Sequence, residues 1–305
     1  MNKSTVDFLG IGAQRSASTW LDRNLRRHPQ IWMPPLKELH YFDRSPDYAS
    51  PSYLACESWV RGVFGNQPQD KAWRRSLIQR TSRHCWREGV SLSLWQDLAW
   101  IGKYYFGSPK TDDWYRSLFA PGEGLVKGEI TPAYGILDDP MVAHIASLFP
   151  EAHIIFIIRN PIDRALSQLA MHRDTGLLPG RIDAQAMLDF LVSPEVSERN
   201  DYPAILNRWG ANYNSDQLFI GWYDDIVSAP QNTLDSIMQF LGLAPLCNEN
   251  QSLVMARHNE SMSRGVPAGV VKELADIQRP NLVTLADTLG GHAVKWLAQC
   301  DELLA

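Results

Sequence analysis

Short apolar runs that give way to helical spacing recur along this chain. The first, VDFLGI over residues 6–11, stops at Gly12, and the stretch 18–28 then sets Trp20, Leu21 and Leu25 on one helix face until Pro29 ends it. Residues 152–158, AHIIFII, are apolar at both alternating positions, so the predicted strand is buried on both faces, as in the middle of a parallel sheet. Asn160 as N-cap and Pro161 at the first helical position open a helix with Ile162, Ala165, Leu166 and Leu169 at i, i+3, i+4 and i+7. A further strand, QLFIGW over 217–222, leads to a helix that opens at Pro230, carries Leu234, Ile237, Phe240 and Leu241, and closes at Gly242. LVKGE at 125–129 is a fourth, weaker strand. Strands alternating with helices predict the α/β class and a central parallel sheet.

From about residue 45 to 122 this alternation is lost. The segment holds six of the chain's 11 tryptophans: Trp59, Trp73, Trp86, Trp95, Trp100 and Trp114. It also holds a basic run from Lys71 to Arg87 without an acid. Its position predicts a long, mainly helical insertion shaping a ligand pocket, with each tryptophan either lining an apolar, ring-stacking surface or forming the core of a helical subdomain. The basic run reads first as a solvated helix face and second as a clamp for an acidic ligand.

Composition narrows the class. The 305 residues are 45% hydrophobic and 21% charged, which excludes disordered and fibrous architectures. Lys and Arg total 29 against 34 Asp and Glu, a net charge of −5, so no overall basic excess points to nucleic acid. The cysteines, Cys56, Cys85, Cys247 and Cys300, are scattered without ligand spacing and read as reduced thiols. The first residues lack a signal peptide's apolar stretch, and no apolar run approaches the roughly 20 residues of a membrane span. The expectation is a cytoplasmic protein with no membrane and no nucleic-acid partner, of unknown oligomeric state.

Candidate chemistry starts at GIGAQRSAST, residues 10–19, between a buried strand and a helix start. That geometry aims backbone N–H groups and the positive helix end at an anion, and Arg15, Ser16, Ser18 and Thr19 add donors. The nucleotide triphosphate loop GxxxxGK[ST] is not met: counted from Gly12, Ala17 takes the second glycine's place and Ser18 the lysine's. Arg159 follows the central strand where a magnesium-holding acid would be needed. The site therefore asks for an anion held by arginine, hydroxyls and amides, and no metal is expected.

At this point the chain resembles the sulfotransferases that use 3′-phosphoadenosine-5′-phosphosulfate (PAPS), in particular the heparan-sulfate-type and related bacterial branch. GAQRSASTWL looks like the loop for the 5′-phosphosulfate, IIFIIRNPIDRALS like the 3′-phosphate segment, and KELHYFDR and GEITPAYG are similar to segments between them. The resemblance implies a single P-loop-like, three-layer sulfotransferase domain over residues 1–305. It implies PAPS as donor and PAP (adenosine 3′,5′-bisphosphate) as product, with a small-molecule or carbohydrate acceptor sulfated on a hydroxyl or amine. Donor-binding residues are then Gly12, Ala13, Gln14, Arg15, Ser16, Ala17, Ser18, Thr19, Trp20, Arg159 and Ser167, with Arg264 and Gly265 closing over the 3′-phosphate. Arg15 contacts the bridging oxygen, and Glu38 is the general base, its pKa lifted by burial or neighbouring charge. His40 and His172 are rival bases.

Two departures stand out. Ala17 replaces a glycine, which speaks against a positive φ there, and Ile130 replaces a lysine common in GE-K-TP. Competing readings are a P-loop nucleotide kinase and a catalytically inactive nucleotide-binding protein.

Overall fold

The structure is a computed structural model, and it describes residues 6–45, 48, 52, 54, 58–88, 92–246 and 265–305. In chain order the elements are β1 (Phe8–Gly12), α1 (Ser18–Leu25), β2 (Ile31–Trp32), α2 (Trp59–Phe64), α3 (Pro68–Glu88), α4 (Leu92–Phe106) and α5 (Asp112–Ser117). There follow β3 (Val126–Ile130), α6 (Asp139–Leu148), β4 (His153–Ile158), α7 (Pro161–Asp174), α8 (Ala184–Val192), α9 (Pro194–Asn200) and α10 (Tyr202–Gly210). The chain ends with β5 (Leu218–Trp222), α11 (Tyr223–Ser228), α12 (Pro230–Phe240), α13 (Ala268–Leu289) and α14 (His292–Leu304). The strands form one parallel sheet in the order β2-β3-β1-β4-β5, the α/β class expected.

Where the sequence pattern was strongest the elements follow it closely. All residues of β4 from Ile154 to Ile158 are buried, as a two-faced apolar run requires. The Asn160 side chain caps α7, its Oδ1 accepting from the Ile162 N–H at 3.0 Å, and Ile162, Ala165, Leu166 and Leu169 are all buried. α12 opens at Pro230, and Gly242 behind it takes a left-handed φ of 70°. The short β2 was not foreseen; two residues carry no periodicity. α13 was not foreseen either, and it contains Pro280, which interrupts the helical pattern that a reading of spacing needs.

By contact density the chain resolves into two compact units, Met1–Ile11 with Asp22–Ile154, and Gly12–Leu21 with Ile155–Ala305. In the first, β1 and β3 run in register with Leu9 opposite Glu129 and Gly10 opposite Ile130. A side chain at position 10 would begin only 2.7 Å from Ile130, so glycine there admits the isoleucine that replaces the lysine of the motif. The same unit contains the insertion, which is mainly helical as expected (α2 to α5). Its tryptophans divide: Trp73, Trp100 and Trp114 are buried, whereas Trp59, Trp95 and Trp86 are 39%, 69% and 91% exposed. Trp73 meets Tyr105 edge-on at 5.5 Å, and Trp100 stacks on Tyr104 at 5.4 Å.

The basic run on α3 divides in the same way. Arg74 donates to the carbonyls of Gly62, Val63 and Gly65 at 2.7–3.1 Å and so caps α2, while Lys71, Arg75 and Arg83 are exposed. The second unit has its core along β4, β5 and α7, with α13 packed on α14, where Trp296 is buried against Trp222. Among the described residues no helix is long and apolar enough to cross a membrane.

Trp73→Ala should destabilise the protein by about 3–5 kcal/mol, the cost of emptying a buried aromatic site. Trp86→Ala should change stability by about 0.5 kcal/mol or less. Urea unfolding followed by circular dichroism reads both; similar losses for the two would contradict this division.

Candidate active site

The anion turn belongs to the second unit. Gly12 has a φ of 148°, a conformation that suits glycine, and the Ala13 N–H donates to Ile157 O at 2.6 Å. Arg15 and Ala17 both adopt left-handed backbone, φ 68° and 66°. The expectation that Ala17 would exclude a positive φ is therefore wrong. Alternating left-handed residues curl a loop so that its amides converge into an anion-binding concavity, and here the turn keeps that form despite the alanine's Cβ. Ser18 and Thr19 begin α1, with Thr19 exposed, while Ser16 and Trp20 are buried.

The two arginines expected from the sequence are brought together. Arg159 Nη1 donates to Arg15 O at 3.1 Å, and Arg15 Nε donates to Ser167 Oγ at 3.0 Å. The Arg159 guanidinium lies 4.2 Å over the ring of Tyr223. Burial, then the charge of Arg159, lowers the Arg15 pKa. Among the described residues Arg15 forms no ion pair with a carboxylate. A turn with converging amides and two adjacent guanidiniums fits a phosphate-bearing ligand, which would supply the missing negative charge.

Behind this turn α7 carries Arg164, which is completely buried. It donates to Asn200 Oδ1, to Gln168 Oε1 at 2.8 Å and to Val196 O at 3.0 Å, all neutral acceptors. Burial lowers its pKa to about 10. His172, further along α7, is paired with Glu195 at 3.1 Å and packs on Phe190. Gly265 takes a left-handed φ of 76°, and Arg264 lies outside the described residues.

In the first unit the KELHYFD segment forms a tight loop in which Glu38 and His40 both have positive φ, 62° and 54°. Lys37 Nζ meets Glu38 Oε1 at 2.6 Å, His40 Nε2 lies 3.6 Å from Glu38 Oε2, and His40 Nδ1 is 2.6 Å from Asp43 Oδ2. The imidazole thus stands between two carboxylates, one half-buried (Glu38) and one buried (Asp43). Arg80 of α3 donates to the carbonyls of Lys37 and Glu38 and supports the loop from the insertion side.

Electrostatics overturn one expectation. Burial pushes the Glu38 carboxyl up, but Lys37 and His40 outweigh it and hold the group well below the usual carboxylate range. The anticipated upward shift is absent because the neighbours are cations, and Glu38 is ionised throughout the neutral range. For His40 burial acts downward, yet Asp43 and Glu38 prevail and raise its pKa to about 9. Asp43, Glu129 and Tyr223 were not singled out from the sequence. Asp43 was legible, three residues past His40 in the quoted motif; Tyr223 carries no local signal.

The Sulfotransferase family profile matches residues 8–246 of this chain. Human carbohydrate sulfotransferase 15 is 22% identical over 335 residues, covering 95% of this chain and 54% of that protein. Human bifunctional heparan sulfate N-deacetylase/N-sulfotransferase 2 is 28% identical over 49% of this chain and 19% of its own length. The chain therefore spans about half the length of the first relative and about a fifth of the second. Among solved structures, a sulfotransferase from Alicyclobacillus acidocaldarius superposes with a TM-score of 0.62 at 18% identity, covering 95% of this chain and 98% of that one, a likeness of fold.

A raised folded-state pKa means that His40 stabilises the protein fully below its unfolded value of 6.5, and that this contribution is lost as pH rises through about 9. His40→Gln should accordingly lower the melting temperature at pH 6 and lower it progressively less towards pH 10. A deficit that stays constant over this range would remove the imidazolium charge from the account.

Proposed function

The chain belongs to the sulfotransferase family, and on that premise we propose that it transfers a sulfuryl group from PAPS to a hydroxyl or amine of a carbohydrate or small-molecule acceptor. The observation that carries the donor assignment is the pairing of Arg15, on the anion turn, with Arg159, at the end of β4, joined by a direct hydrogen bond to the Arg15 carbonyl. PAPS supplies the sulfuryl group and leaves as PAP.

Arg159 and Ser167 are the residues for the 3′-phosphate. Ser167 Oγ accepts from Arg15, which leaves its own O–H to donate. Arg15, the amides of residues 13–17 and the first turn of α1 hold the 5′ end, with the hydroxyls of Ser18 and Thr19 as further donors. Positive charge at this turn meets the negative charge that grows on the leaving phosphate. Gln14 and Trp20 shape the turn and the helix behind it.

On the acceptor side Glu38 takes the proton. With Lys37 and His40 holding it ionised, it is a weak base that is never protonated at working pH, so its contribution rests on position more than on basicity. The buried Asp43 keeps His40 charged, and His40 fixes the carboxylate from the side opposite Lys37. His40 itself, protonated below about pH 9, cannot accept a proton while it carries that charge. Cys85 and Cys300 are free thiols, which supports a reducing compartment such as the cytoplasm.

Thermal shift separates this reading from a kinase: PAP should raise the melting temperature and ADP with Mg²⁺ should not. Stabilisation by ADP–Mg²⁺ alone would sink the sulfotransferase reading. Arg159→Ala should weaken PAP binding by about 1.5–3 kcal/mol, the scale of a charged hydrogen bond, by calorimetry. Glu38→Gln should retain PAP binding and lower kcat by about 10²–10⁴; full turnover in that variant would remove Glu38 as the base.

A further inference from the structure

The loop that carries Glu38 and His40 is fastened to one buried group. Glu129, at the end of β3, is 2% exposed and receives four hydrogen bonds. Tyr115 and Tyr134 donate to Oε1 at 2.7 and 2.9 Å, and Thr131 Oγ1 and the Leu39 N–H donate to Oε2 at 2.6 and 3.0 Å. None of the four donors is charged. The Tyr134 hydroxyl, while donating to Glu129, accepts from the Tyr41 N–H at 3.0 Å. The carboxylate therefore grips the amides on both sides of His40, that of residue 39 directly and that of residue 41 through one phenol. Tyr104 holds the same residue from its other side, donating to Leu39 O at 2.7 Å.

This grip explains the backbone. Left-handed φ at two non-glycine residues, Glu38 and His40, persists only where the surroundings over-determine it. Leu39 lies between them, completely buried, with both its N–H and its C=O engaged by side chains from elsewhere in the unit. We propose that Glu129 is the positioning residue of this centre: through the Leu39 amide and the Tyr134 hydroxyl it sets the loop conformation that presents the Glu38 carboxylate and seats His40 between Glu38 and Asp43. The assignment rests on the acceptor-side reading above for its catalytic consequence, but its structural content holds whichever of the two side chains takes the proton.

Burial pushes the Glu129 pKa up, and the hydrogen bonds from Thr131, Tyr115, Leu39 and Tyr134 offset only part of that rise. The three hydroxyls can donate or accept, but the Leu39 N–H only donates, so the grip needs an acceptor oxygen facing residue 39. A glutamine of the same shape has one such oxygen for four partners, so one pair loses the hydrogen bonds it now donates to a carboxylate oxygen.

The test is Glu129→Gln, read in three ways on the folded variant. Its PAP affinity by calorimetry should stay within about twofold of the parent, because no donor-site residue is altered. Turnover of labelled PAPS, with water as acceptor if an acceptor panel returns none, should fall by about 10²-fold, the scale of a 1 Å misplacement. The His40 imidazole, followed by NMR and assigned with His40→Gln, should titrate well below its parent value of about 9, because its seat between the two carboxylates is lost. A carboxylate with a merely structural role would shift the melting temperature and leave that titration in place. A folded Glu129→Gln with parental turnover and parental His40 titration overturns the proposal. Should that variant fail to fold, Tyr134→Phe removes the link to Tyr41 and must lower the same titration; an unchanged His40 there is equally fatal. Glu38→Gln measured alongside separates the two readings: if it keeps turnover while Glu129→Gln loses it, Glu38 is not the base and the clamp stands through His40.

Discussion

A carboxylate or guanidinium taken out of water loses several kcal/mol of hydration, and only groups aimed at it can offset the loss. Among the described residues, each unit buries an ionisable group against neutral partners. In the first, Glu129 is ringed by two phenols, a threonine hydroxyl and a backbone amide. In the second, Arg164 is ringed by two side-chain amides and a carbonyl. Neutral partners leave the net charge in place, and each charge is surrounded by elements that must stay put for it to remain satisfied. Those elements are the loop from Lys37 to Phe42 in one case, and helices α7 and α9 behind the anion turn in the other.

The consequence in the second unit is electrostatic. Arg159 and Arg15 act at a distance on Arg164, and Arg159 acts on Arg15, so positive charge accumulates around a turn whose amides already converge. In a chain with net charge −5, three arginines lie close together around this turn. Overall charge is therefore no guide to this kind of site, and the local arrangement of two or three arginines is.

In the first unit the effect is on the Glu38–His40 pair. Lys37 and His40 keep Glu38 ionised, and Asp43 keeps His40 protonated, so the array alternates in sign from Lys37 to Glu38 to His40 to Asp43. Such an array favours fixed geometry over a pKa tuned to neutrality. The helical insertion contributes to it: Arg80 supports the carbonyls of the loop, Tyr104 holds Leu39, and the buried Trp73 and Trp100 hold α3 and α4, the helices that bear those two residues. Trp73, Trp100 and Trp114 thus serve the scaffold, Trp59 meets Phe106 edge-on at its border, and Trp86 and Trp95 are largely exposed.

The sequence by itself determined the α/β class, the central strand β4, the caps of α7 and α12, and the residues of both motifs, because burial on two faces, Asn-Pro openings and glycine closures are local signals. It pointed to Arg15, Arg159 and Ser167, which the fold brings into direct hydrogen bonding across 144 and 152 residues. Three things were beyond its reach. The positive φ of Ala17 contradicts the residue's own preference and is imposed by the turn around it. The pKa of Glu38 moves down instead of up because its neighbours in space are Lys37 and His40, and only conformation decides that their charges face it. The role of Glu129 depends on Tyr115, Tyr134 and Leu39 converging on one carboxylate from three separate segments, and convergence of that kind is a property of packing, which no spacing along a chain encodes.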